Sequence, residues 1–200
     1  MLDEILVATT NEHKIKEISH ILKGIKIKGC GLKVAENGRT FEANAIKKAK
    51  AVAKRFKRVA IADDSGLMVN ALNGAPGVRS ARYATPPTPL NLCAKLLRAM
   101  RNKKARGAKF VTVIALAQPD GKTRTFKGIV RGRIVKNMRG DHGFGYDPVF
   151  VPCGYQKTFA EMPPKLKNQI SHRARALAKL KVYLATKKRA REDSNLRPTD

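Results

Sequence analysis

The chain has 200 residues, 42% of them hydrophobic, and its 42 Lys and Arg against 15 Asp and Glu give a formal charge of +27. That length suits one domain or two lobes on a shared core, while no apolar run reaches the roughly 18 to 20 residues of a membrane span. Together with the lack of a basic stretch leading into an apolar region at the start, this predicts a cytoplasmic protein without a membrane partner.

The first element is the apolar run "ILVATT", read as a strand, followed by a polar turn and the helix "NEHKIKEISHILK", in which Ile15, Ile18 and Leu22 recur at helical spacing. A Gly/Lys-rich return leads to "GRTFEANAIKKAKAVAKRF", a second helix with Thr40 as its N-cap and Ala45, Ala49, Val52 and Phe56 on one face. "RVAIADDSG" reads as a buried strand that breaks into a loop at Asp63, and the glycine-punctuated "GLMVNALNGAPGVRSARY" after it offers Arg79 and Arg82. After the Pro-rich "TPPTP" come a helix near 90–101 and two antiparallel strands joined at an Asp-Gly turn, in "KFVTVIALAQPDGKTRTFKGIVRGRIV". The glycine loop "RGDHGFGYDPVF" precedes a last helix over about 168–188, and a basic, polar tail over 186–200 is expected to fray beyond a domain spanning 1–185.

Cys30, Cys93 and Cys153 are odd in number and far apart, which supports neither a disulfide framework nor a zinc site. The charge calls for an anionic ligand: nucleic acid, an anionic surface or a nucleotide. The basic residues fall as 10, 8, 12 and 12 in successive fifties, so no single arm carries them. With no Trp and only 7 Phe and 4 Tyr, the aromatic platforms of single-strand binders are sparse.

Chemistry-capable residues collect where strands end, which is where an open α/β sheet presents ligand groups. Thr9, Thr10, Asn11 and Lys14 combine hydroxyl, amide and ammonium donors with a helix N-terminus, a set suited to phosphate oxygens, although a capped turn with a solvated lysine has the same composition. Asp63 and Asp64 are adjacent on a strand, so they point to opposite faces and one can serve a site while the other supports it. A carboxylate beside a phosphate site suits Mg²⁺, with Glu36 as a second ligand. In "GFGYDP", Phe144 can stack on a base and Asp147 can accept from a ring N–H, while "KNQISHRARAL" gathers the donors Lys167, His172 and Arg173.

Taken together, "ATTNEHKIKEI", "TFEANAIKKAKA", "IADDSGLMVNALNGAPGVRSARY" and "GFGYDPVFVPCGYQKTFAEMPPKLKNQISHRARAL" resemble, in order and from residue 5 to about 180, the inosine/xanthosine triphosphate pyrophosphatase family. The resemblance implies an elongated, two-lobed α/β protein with a long central mixed sheet, a nucleotide cleft between the lobes and a homodimeric state. It implies hydrolysis of non-standard purine nucleoside triphosphates (ITP, dITP, XTP) to the monophosphate and pyrophosphate. Carried over by position, Thr9, Thr10, Asn11, Glu12, His13 and Lys14 hold phosphate, with Lys48 and Lys167 neutralising the rest of the tail. Glu36 and Asp64 hold Mg²⁺, or Mn²⁺ in its place, and Asp64 also accepts the proton of the attacking water. Ser65 touches substrate, and Phe144, Gly145, Tyr146 and Asp147 form the base pocket with His172 and Arg173. Two positions depart from the family pattern: Thr10 stands where glycine is common, and Ala43 stands where a glutamate usually precedes Asn-Ala. Against this enzyme stand two rivals, a basic nucleic-acid-binding protein on the same fold, drawing on Lys187, Lys188, Arg189 and Arg191, and a nucleotide sensor without turnover. Nucleic acid is not required by the enzyme reading.

Overall fold

The structure, a computed structural model, describes residues 4–195. It is an α/β fold built on one six-stranded mixed sheet in the order β2-β1-β3-β4-β5-β6. Strands β1 (Glu4–Val7), β2 (Lys26–Gly29) and β3 (Ala60–Val69) run parallel, and β4 (Gly107–Ala117), β5 (Thr123–Ile134) and β6 (Phe150–Pro152) add antiparallel to β3 and to one another.

Local chemistry sets the boundaries. Helix α1 (Glu12–Ile21) starts where Asn11 Oδ1 accepts from Lys14 N, α2 (Phe41–Phe56) where Thr40 Oγ1 accepts from Ala43 N, and α3 (Pro89–Ala99) where Thr88 Oγ1 accepts from Asn91 N. The β4–β5 hairpin turns at Asp120–Gly121, with Gly121 at φ +86. The last helical segment is two helices rather than one: α4 (Pro164–Ile170) and α5 (His172–Asn195) are separated by an extended Ser171, whose Oγ accepts from Ala174 N. That break places His172 and Arg173 in the first turn of α5.

Three further readings of the sequence change. The Gly/Lys-rich return after α1 contains β2, which lacks a clean apolar alternation because it is a mostly exposed edge strand. Phe56, the last residue of α2, is 45% exposed rather than on the buried face. Most important, β3 does not break at Asp63: it continues through both aspartates to Val69, paired throughout with β4. At the other end, α5 carries on through the expected tail to Asn195, and residues 196–200 lie outside the described residues.

The core has three parts. One lies between α2 and one sheet face (Ala45, Ala49, Val52, Ala62, Val113), and a second lies between α1, α5 and the other face (Ile5, Ile18, Ile61, Leu177). A third fills the far end of β4 and β5 beneath α3 and the loops (Leu96, Phe110, Phe150, Phe159). Helix α5 packs directly on β5 at Gly128, where a Cβ would lie 2.0 Å from His172 O.

Candidate active site

Strand β1 leaves the sheet after Val7, where its last register partner is Ile61, whereas β3 runs on. Asp63, Asp64 and Ser65 therefore stand on a length of β3 paired only with β4, at an edge from which both sheet faces can be reached. Strand alternation then sends the two carboxylates apart.

Asp63 points toward α1 and α5. It is 1% exposed, forms an ion pair with Lys14, accepts from Arg173 Nε at 3.1 Å and accepts from Ser65 Oγ at 2.8 Å. Burial alone would raise its pKa, but the Arg173 and Lys14 charges hold the carboxyl far below the usual carboxylate range. Asp64 points toward α2, where Asn44 Nδ2 donates to it at 3.1 Å and Lys48 Nζ lies 3.4 Å away. Lys48 Nζ also donates to Glu36 Oε1 and to Asp63 O, each at 2.8 Å. Burial pushes the Asp64 carboxyl up; Lys48 and Asn44 oppose this, and the Glu36 charge adds to it. The paired aspartates thus have their proton affinities shifted in opposite directions, that of Asp63 lowered and that of Asp64 raised.

A cleft of about 360 Å³ lies on the Asp63 side, lined among others by Asn11, His13, Lys14, Ser65, Phe144, Asp147 and His172. Of the first predicted segment, Thr9 Oγ1 accepts from Asn11 N at 3.1 Å, Thr10 and Glu12 are exposed, and His13 stacks on Phe144 with ring centroids 5.5 Å apart. Asp147 Oδ2 accepts from Phe144 N at 2.7 Å and from Lys167 Nζ at 2.8 Å. Gly143 makes this possible, since a Cβ there would sit 2.2 Å from Asp147 Oδ2. Gly145 has φ +63, and Tyr146 Oη donates to Ser80 O at 2.9 Å. His172 stacks on Phe110 at 4.5 Å, and its buried Nδ1 has no hydrogen-bond partner among the described residues. Burial and the neighbouring Arg173 hold its pKa down to about 3, so the imidazole is neutral.

Arg173 and Lys167 line the same cleft but are already engaged. Arg173 is 1% exposed and holds Asp63 and Glu17, and Lys167 Nζ lies 2.9 Å from Glu17 Oε1 as well as against Asp147. Glu17, absent from the sequence-based set, therefore joins the two cations. Its signal was its place three residues after Lys14 and beside Ile18 on the buried face of α1. Asn44 was also missed; it falls at helical spacing with Phe41, Ala45 and Lys48. Arg82 donates to Glu36 O at 3.1 Å, and Arg79 is exposed.

Burial would raise the Glu17 pKa, but Arg173 and Lys167 lower it from 4.5 to about 2. A depressed carboxylate contributes its stabilisation fully above the unfolded value and loses it as pH falls toward the folded one. Melting temperature should therefore drop as the pH is lowered from about 4.5 to 2. His172, whose pKa is lowered from 6.5 to about 3, adds loss of the same sign beginning below 6.5. Melts of Glu17→Gln should start lower at neutral pH and show a shallower acid slope; an unchanged slope would remove Glu17 from the network.

Glu36 and Asp64 fit a divalent cation of the Mg²⁺ kind. They are two carboxylates drawn to one ammonium, and Asp64 is held by burial and Glu36 in a state a further cation would relieve. Among the described residues no group of three or more His, Cys, Asp or Glu gathers as a metal cluster, so remaining ligands would come from phosphate and water. Among those residues, too, no helix is long and apolar enough to cross a membrane.

The sequence profile of the Ham1 family matches residues 5–183. A protein of Desulfotalea psychrophila described as a dITP/XTP pyrophosphatase is 46% identical over 190 residues, covering 91% of this chain and 85% of its own. The solved structure of the Staphylococcus aureus Ham1 protein superposes with a TM-score of 0.84 at 42% identity, over 92% of this chain and 99% of that one. A HAM1 protein from Coxiella burnetii superposes at 0.85 with 40% identity, over 93% and 100%.

Proposed function

From the premise that the chain belongs to the Ham1 family, we propose that it hydrolyses non-standard purine nucleoside triphosphates to the monophosphate and pyrophosphate. The chain is a nucleoside triphosphate pyrophosphatase. The observation that carries the reaction is the divided aspartate pair at the open edge of β3, with Asp64 beside Lys48 and Glu36 and its proton affinity raised by burial.

In this proposal the base enters the cleft against Phe144, and His172 Nδ1, which has no partner among the described residues, donates to a 6-keto oxygen when it carries the ring proton. The 6-amino group of adenine would meet that donor with another donor, and a site that leaves buried polar groups unpaired discriminates strongly. Arg173 and Lys167 act by holding Asp63, Glu17 and Asp147 in place. The triphosphate runs along the Thr9–Lys14 turn toward Lys48. Asp64 takes a proton from water as its oxygen bonds to the α-phosphorus; the bond from that phosphorus to the bridging oxygen breaks, and pyrophosphate leaves with the electron pair. Mg²⁺ held by Glu36 and Asp64 would supply neutralisation of the phosphate charge.

Chromatography of the products from ITP tests the reaction. Inosine monophosphate and pyrophosphate are expected, whereas inosine diphosphate and orthophosphate would mean attack at the γ-phosphorus and would overturn the proposal. The homodimer implied by the resemblance is checked on the same preparation by light scattering.

A further inference from the structure

The +27 charge is far more than one triphosphate site needs, and the fold concentrates part of it. Two stretches contain no Asp or Glu, Lys122–Gly140 and His172–Arg191. They are remote in sequence, but α5 lies along β5. The Arg124 guanidinium sits 4.7 Å from the Tyr183 ring centroid, Lys179 Nζ donates to Lys127 O at 2.8 Å, and Arg175 Nη1 donates to Ile129 O at 3.1 Å. Since β6 pairs with β5 only from Gly132 to Ile134, the preceding part of β5 is an outer edge of the sheet. Exposed Arg124, Lys127, Arg131, Arg175 and Lys179 thereby line one edge. Glu42 of α2 touches β5 at Thr125, near where that edge begins.

We infer that this β5–α5 edge is a second binding surface, which takes the phosphodiester backbone of double-stranded nucleic acid without reading its bases. A row of cations on a rigid edge neutralises successive phosphates and releases their counterions. From Arg124 to Arg131 the cationic edge runs about 23 Å, enough to follow phosphates along part of the roughly 34–36 Å of one duplex turn. Single strands would ask for stacking platforms, but Tyr183 already lies beneath Arg124. A membrane surface would ask for an outward apolar face, whereas Ala176, Leu177 and Leu180 of α5 are turned into the core and fully buried.

Fluorescence anisotropy with labelled DNA and RNA duplexes of about 20 base pairs, from about 50 to 200 mM salt, tests this. The intact chain should bind both, with affinity falling steeply as salt rises. The triple variant Arg124→Gln, Lys127→Gln, Arg131→Gln should bind at least ~10-fold more weakly, and its log–log salt slope should shrink by about 2.7, roughly 0.9 per lost phosphate contact. An equal-charge variant on α2, Lys50→Gln, Lys54→Gln, Lys57→Gln, should lose much less. Both variants should release pyrophosphate from ITP at the rate of the parent, which shows that they fold. No duplex binding by the parent, equal loss in the two variants, displacement of the duplex by excess ITP, or tighter binding to phosphatidylserine vesicles than to duplex would each overturn the inference.

Discussion

Replacing Asp64 by asparagine is expected to lower kcat by at least ~10²-fold, the usual scale for loss of a general base, with little change in melting temperature. Asparagine keeps the shape and can still face Asn44 and Lys48, while Lys48 retains Glu36 and the Asp63 carbonyl. What disappears is a carboxylate whose proton affinity burial raises. Steady-state pyrophosphate release measured beside a thermal melt separates the effects. A variant with near-parental turnover would show that Asp64 neither takes the proton nor holds a metal.

The neighbouring substitution should fail in the other way. Asp63→Asn leaves Lys14 and Arg173 facing a neutral side chain at a fully buried position. Removing one partner of a buried pair typically costs about 3–5 kcal/mol, which for a chain of this size lowers the melting temperature by roughly 6–20 °C. Activity per folded molecule, measured well below the melt, should fall less than for Asp64→Asn. If Asp63→Asn melts like the parent, the ion-pair network does not hold the site together.

These opposite expectations for adjacent identical residues also show what could be read from the chain. The placement of Asp63 and Asp64 on two faces follows from strand periodicity, and it survives even though β3 runs past them instead of ending there. The strand looked broken because Asp, Asp, Ser and Gly in succession have low strand propensity, and only the ten-residue ladder with β4 outweighs that. The helix start at Thr40 was legible because the capping side chain and the backbone it bonds are three residues apart. Glu17 was not, because its partners Lys167 and Arg173 arrive from 150 and 156 residues away.

By itself the sequence determined the α/β class, the Thr40 cap, the β4–β5 hairpin and the residue types at each strand end, because these depend on neighbours along the chain. Tertiary structure alone decided which of those residues are free to act. It set Arg173 and Lys167 on buried carboxylates, left His172 Nδ1 without a partner among the described residues, and shifted the proton affinities of Asp63 and Asp64 in opposite directions. It also brought two acid-free basic segments side by side on α5 and β5. The physical reason is the same throughout: desolvation and Coulomb interactions act through space over a few ångströms, and distance along the chain does not encode them.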